Sequence, residues 1–193
     1  MPSETDICNM ALMKTGSKGT ISSLKTDSSS KGDLCRTFYA SVRDAVLRSH
    51  PWNCAIHRRT ITPMSDSPDS DYDYQYQLPA NPWCLRILQV GELEDQPIVW
   101  RVEGRRLLCN ESSTPIVYIK RITDTNEFDP LLLDAFTLKL ALKLVMPLTG
   151  DPKMQKGLID EIETISLPEA RSVDGQEGSV QQMETDTWIE SRF

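Results

Sequence analysis

Apolar residues recur at three- and four-residue intervals in two separated stretches of this chain and at two-residue intervals between them. That pattern predicts helices at both ends and strands in the middle. The first helix opens at Ser3, with Asp6 three residues later in a capping-box arrangement; Ile7, Met10, Ala11 and Met13 follow at helical spacing, and Gly16 closes it. Residues 17–30 are rich in Ser, Gly and Lys, anchored only by Ile21 and Leu24, and read as a loop with Asp27 or Ser28 as the next cap. A second helix spans about 29–49. Leu34, Phe38, Val42, Ala45 and Val46 form its packed stripe, and Lys31, Arg36, Arg43 and Arg48 leave it a basic outer face. Pro51 ends it by pushing the preceding residue out of the helical region.

Between Trp52 and Ile122 the period becomes two. Six short strands are expected at about 56–62, 72–77, 85–90, 99–102, 106–109 and 116–122, with Glu103-Gly104-Arg105 as a hairpin turn. The Ser, Asp and Pro cluster at 64–71 reads as an exposed connection. Asp129-Pro130 is a strong helix start, and the helix to about Met146 is apolar nearly all round, the mark of a central element. Pro147 is expected to break it. Asp151-Pro152 repeats the start signal for a last helix to Glu169 or beyond, with Pro168 as an expected kink.

The fold class that follows is α+β: a bundle of about four helices from the N- and C-terminal segments, with an inserted antiparallel β-rich lobe and an extended C-terminal tail. The boundaries are 1–50 with 124–178 for the discontinuous helical domain, 51–123 for the lobe and 179–193 for the tail.

Composition narrows the function classes. The chain has 193 residues, 39% hydrophobic and 25% charged, an ordinary globular balance with no apolar run near the roughly 20 residues that cross a bilayer. Its start carries Glu4 and Asp6 rather than the basic flank and apolar run of a secretory signal, so neither export nor membrane partnership is expected. The net charge is −7, unsuited to a sequence-independent coat on nucleic acid. The charge is polarised: residues 1–62 hold nine cations and five anions, 63–130 six and twelve, and 131–193 six and eleven.

The chemistry that residue types can announce is missing from the pattern. Cys8, Cys35, Cys54, Cys84 and Cys109 stand singly with only His50 and His57 beside them, which argues against a zinc site or a disulfide framework. No P-loop, nucleophile elbow or metalloprotease motif occurs. No catalytic residue, metal or cofactor is expected. His50 reads as a helix C-terminal cation and His57 as an ordinary strand residue. Tyr72, Tyr74 and Tyr76 share one face of a strand, suited to lobe packing or to an oligomer neighbour.

Specific patterning comes from longer strings: Ile7-Cys8-Asn9-Met10-Ala11-Leu12, Ile21-Ser22-Ser23-Leu24, Arg43-Asp44-Ala45-Val46-Leu47-Arg48, His50-Pro51-Trp52-Asn53, Tyr74-Gln75-Tyr76-Gln77-Leu78-Pro79, Leu144-Val145-Met146-Pro147-Leu148-Thr149-Gly150 and Asp186-Thr187-Trp188-Ile189-Glu190-Ser191-Arg192. Together they resemble the tail tubular protein A family of tailed bacteriophages over nearly the whole chain. The resemblance implies a structural virion protein at the head-to-tail junction, made in the host bacterial cytoplasm. It implies an adaptor ring of twelve copies under the portal protein, joined to a nozzle or tubular protein B-like component and to tail fibres. Genomic double-stranded DNA would pass through the lumen without sequence-specific binding. A conduit of this kind needs a cyclic oligomer with head-to-tail contacts, because one small chain cannot encircle a duplex.

Site expectations follow from this reading. Trp188, Ile189, Arg192 and Phe193 are apolar and cationic anchors on a polar tail, suited to docking on the portal or a neighbour. Deleting the chain from Gln181 onward is expected to weaken docking while the helical domain stays folded. Arg43, Arg48, Arg58, Arg59, Tyr72, Tyr74 and Tyr76 are expected at subunit interfaces. Asp160, Glu161 and Glu163 are expected to face the lumen, where carboxylates prevent adhesion of DNA. Two alternatives remain open: a virion-associated peptidoglycan hydrolase using lobe carboxylates, and a DNA-binding packaging factor using the basic N-terminal region.

Overall fold

The helix ends are set by side chains that satisfy free backbone amides. In the computed structural model, which describes residues 2–91 and 98–177, α1 (Glu4–Lys14) begins with the complete capping box: the Asp6 amide donates to Ser3 and the Asp6 carboxylate accepts from the Ser3 amide. Helix α2 (Ser30–Ser49) starts at Ser29, one residue beyond the two caps expected, because Ser29 Oγ accepts from the Gly32 amide. Asp27 instead ties the loop, accepting from the amides of Ser22 and Ser29 at 2.9 Å each. The Ser29 hydroxyl first, and then these two amides, hold its carboxyl well below the usual carboxylate range.

Helix α3 (Pro130–Thr149) is capped by Asp129 Oδ1, which accepts from the amides of Leu131 and Leu132 at 2.8 and 3.0 Å. Replacing Asp129 with Ala is expected to cost about 1 kcal/mol, or about 2–4 °C in Tm, read from thermal unfolding by circular dichroism.

Two prolines behave differently from the sequence expectation. Pro147 does not break α3, which continues to Thr149 and ends on Gly150 at φ 64°. Pro147 is exposed, so the loss of one amide near a helix end is borne on the water side, and the left-handed stop falls where only glycine adopts it cheaply. The last helix is continuous through α4 (Pro152–Glu161), a π-helical segment Ile162–Ser166, and α5 (Leu167–Gln176). Pro168 has no amide to donate to the carbonyl of Thr164, and that carbonyl lies inside the wider π turn. The expected kink is therefore a change of helical pitch.

Helices α1 and α2 both pack on α3, and the α4–α5 rod closes the bundle against it. The buried positions of α3 (Leu132, Ala135, Phe136, Leu138, Leu140, Ala141, Leu144, Val145) make it the hub expected from its all-round apolarity.

The inserted segment forms six strands: β1 (Ile56–Ile61), β2 (Tyr74–Gln77), β3 (Cys84–Val90), β4 (Trp100–Glu103), β5 (Arg106–Cys109) and β6 (Thr114–Lys120). They make two three-stranded antiparallel sheets, ordered β1-β6-β3 and β2-β5-β4. The β4–β5 hairpin turns on Gly104-Arg105 with Gly104 at φ 58°, the backbone that a two-residue hairpin loop demands.

The first sheet serves two cores. On β6, Ile116 and Tyr118 face the second sheet, and Ile119 joins the helical core with Ile122 just beyond the strand. Strand β3 divides likewise: Cys84, Ile87 and Val90 pack in the lobe, Leu85 and Leu88 against the helices. Two register shifts, at Cys84/Arg86 and Ile87/Gln89, turn its two-residue alternation into a three-residue one. The architecture is thus α+β, a four-helix core with two small antiparallel sheets inserted between α2 and α3.

Candidate interaction surfaces

The junction of α2 with the first sheet is built by the sequence His50-Pro51-Trp52-Asn53. Pro51 holds His50 extended at φ −145°, ψ 150°. The chain then folds back, and the fully buried Trp52 donates from Nε1 at 3.0 Å to the Val46 carbonyl, a helix-end acceptor that also takes the Ser49 hydroxyl at 2.7 Å. His50 meets the Trp52 ring edge-on at 4.6 Å. Its Nε2 lies 3.1 Å from Asp174 Oδ2, and Asp174 Oδ1 accepts from the Asn53 amide at 2.9 Å. Asp174 is itself buried, and its carboxylate fastens α5 to this junction.

A second cluster centres on Trp83. The Arg105 guanidinium stacks 3.6 Å above its ring centroid and that of Arg121 lies 5.0 Å away. Arg105 also donates to the carbonyls of Pro79 (3.0 Å) and Cys84 (3.3 Å), and Arg121 to Asp44 Oδ2 at 2.5 Å. One hairpin turn in the second sheet is thereby locked to the start of β3 in the first. Burial pushes the Cys84 thiol up to about 11, against the pull of Arg105 and Arg48. Burial likewise raises Cys54, and Cys8, hydrogen-bonded with Cys35, is raised first by that bond and then by burial. Such thiols are poor nucleophiles.

The cations assigned to subunit interfaces divide into two groups. Arg58 and Arg59 are exposed on β1, an edge strand of its sheet, and Arg59 donates to the Asn81 carbonyl at 3.1 Å. Arg43 is buried and paired with Asp44 at 2.9 Å, and Arg48 donates to the Leu85 carbonyl. The guanidinium of Arg43 is satisfied within the subunit, and Arg48 bridges to β3. Of the tyrosines, Tyr72 and Tyr74 are half-buried, and Tyr74 packs against the lobe core. Tyr76 is fully buried, with its hydroxyl bonded to the Glu111 carbonyl. It has no surface to offer a neighbour, because the strand turns its face inward to the lobe's own core.

Of the acidic residues, Asp160 and Glu163 are exposed, whereas Glu161 is half-buried and pairs with Lys14 at 3.3 Å. Trp188, Ile189, Arg192 and Phe193 lie outside the described residues. His57 is a strand residue, edge-on to Tyr118 at 5.4 Å.

A groove of about 670 Å³ lies between α2, α3 and the α4–α5 rod. Val42, Ala45, Leu142, Ile159, Ile162 and Leu167 make it apolar, and Lys139 and Lys143 stand one turn apart on its α3 side. The sequence pattern missed it because each of these residues belongs to an ordinary helical stripe, and only the packing of three helices leaves the stripes incompletely covered. The Trp83 cluster was missed for a related reason: Arg105 is 22 residues from Trp83, and its place in the Glu103-Gly104-Arg105 turn announces no partner.

Among the described residues no three His, Cys, Asp or Glu side chains are placed to hold a metal ion, and no helix is long and apolar enough to cross a membrane. No protein-family model and no curated protein matches this chain.

Proposed function

We propose that this protein is a structural subunit of a tailed-phage virion, a head-to-tail adaptor that forms a dodecameric ring under the portal protein. The ring joins the portal to the tail nozzle, with a tubular protein B-like component and tail fibres as further neighbours, and genomic DNA passes through its lumen. The protein is made in the host cytoplasm and resides in the virion tail. The strings that resemble tail tubular protein A support this reading, and they run through both the helical core and the lobe.

The observation that carries the ring is electrostatic. Exposed Arg58 and Arg59 lie on the β1 edge, and exposed Asp160 and Glu163 lie on the α4 rod and its π turn. Opposite charges on different elements of one subunit suit a heterologous, head-to-tail contact that closes into a ring. An edge strand adds unpaired backbone groups for a neighbour to meet.

Mass measurement of the isolated protein, then of its mixture with portal, tests the reading. The expected result is a small species alone and a single large complex in the mixture. In Arg58→Glu/Arg59→Glu, complex formation is expected to fall by about tenfold or more, because like charges at a contact cost several kcal/mol. The variant's Tm should stay within about 2 °C of wild type, as surface changes are worth about 0.5 kcal/mol. A mixture that gives only the separate proteins would reject the adaptor role.

A further inference from the structure

The apolar groove between α2, α3 and the α4–α5 rod is lined by α2 through Val42 and Ala45, by α3 through Leu142, and by the rod through Ile159, Ile162 and Leu167. Its size falls within the about 300–1,000 Å³ typical of pockets that bury a ligand. It is also where the rod departs from α-helical geometry: Ile162, at the start of the π segment, and Leu167, which follows it, both line the groove. Such π turns are frequent where a helix serves a binding role. Next to them Ser166 Oγ is buried with no hydrogen-bond partner.

The occupant is indicated by reach and by charge. Helix α5 ends at Gln176, and Leu167 in the groove wall lies nine residues back, about 14 Å at 1.5 Å per residue. Trp188 lies eleven residues beyond Glu177, a stretch that can span about 36 Å. The segment that follows α5 therefore reaches the groove with chain to spare. It carries Trp188, Ile189 and Phe193 as apolar groups, and Glu184, Asp186 and Glu190 against the single cation Arg192. The groove presents the matching set: an apolar floor with Lys139 and Lys143 on one lip, neither ion-paired among the described residues. Glu163 is the one anion on the lining.

We propose that in the free subunit residues 186–193 fold back onto this groove of their own chain, with Trp188 and Ile189 in the apolar floor and the segment's carboxylates beside Lys139 and Lys143. The fold-back concerns the isolated protein and stands apart from the adaptor reading. A linker of this length supplies an effective concentration on the order of 1 mM, so a groove affinity of about 0.1 mM keeps the segment bound about tenfold over released.

The test is hydrogen exchange on the full chain at low micromolar concentration, followed over 41–45, 139–143 and 159–167. Trp188→Ala/Ile189→Ala is expected to speed exchange there about tenfold with an unchanged far-UV spectrum, the factor set by the bound-to-released ratio. Lys139→Glu/Lys143→Glu is expected to do the same; should that pair fail to fold, the tail variant decides alone. Adding a peptide of residues 181–193 to the tail variant is expected to restore slow exchange. Equal exchange in wild type and the folded tail variant would overturn the proposal. So would protection that grows with protein concentration, which would assign the groove to a second copy, or a peptide that restores nothing at millimolar concentration.

Discussion

Trp52→Ala is expected to lower Tm by about 10 °C or more and the stability by about 3–5 kcal/mol, the range for deleting a large buried aromatic side chain. Such a loss consumes much of the roughly 5–15 kcal/mol that a natural domain holds. The indole sits with no exposed surface where α2, the first sheet and the helical core converge. Its deletion opens a cavity in that core and also withdraws the Nε1 donor from the Val46 carbonyl. Trp52→Phe separates the two effects, because it keeps most of the volume and loses the donor; it should cost about 1–2 kcal/mol. Chemical unfolding of the three proteins in guanidinium chloride reads both numbers. A Trp52→Ala midpoint close to wild type would mean that the junction does not depend on the indole.

Arg105→Ala is expected to cost about 2–3 kcal/mol, large for a side chain that is only half-buried. The guanidinium combines a stack on Trp83 with donation to the carbonyls of Pro79 and Cys84. Arg105→Lys should recover less than half of the loss, since an ammonium cannot lie flat on the ring and also serve two separated acceptors. Chemical unfolding, with tryptophan emission compared against a Trp83→Phe control, distinguishes this clamp from a solvated arginine: the clamp shifts the midpoint and the Trp83-dependent emission together, whereas a solvated side chain leaves both in place.

How much of this could be read in advance depended on how local the cause was. Ser3 with Asp6, Asp129 with Pro130 and Asp151 with Pro152 each act within one turn of chain, and all three helix starts stand where the residue types place them. The six strands were legible for the same reason, through alternation within four to seven residues. What escaped was decided by surroundings. Pro147 is tolerated because it faces water near a helix end, and Pro168 because the rod widens ahead of it. Tyr72, Tyr74 and Tyr76 look equivalent in sequence, but burial separates Tyr76 from the other two. The division of one strand-rich segment into two sheets rests on pairings such as β2 with β5 and β1 with β6, which no short-range signal announces. Of the surfaces, the exposed cations on β1 were readable as a doublet. The groove and the tryptophan clamp emerged only when distant residues met.

The dependence of α1 and α2 on α3 also sets an order in time. Both N-terminal helices leave the ribosome about 100 residues before α3 is complete, and the partner that covers their apolar stripes does not yet exist. At roughly 5–20 residues per second this interval lasts on the order of 5–20 s. During it Ile7, Leu12, Val46 and Leu47 remain open to chaperones or to aggregation. The nascent chain is therefore most vulnerable before Phe136 and its neighbours emerge, and any slowing of translation through the inserted sheets lengthens that exposure.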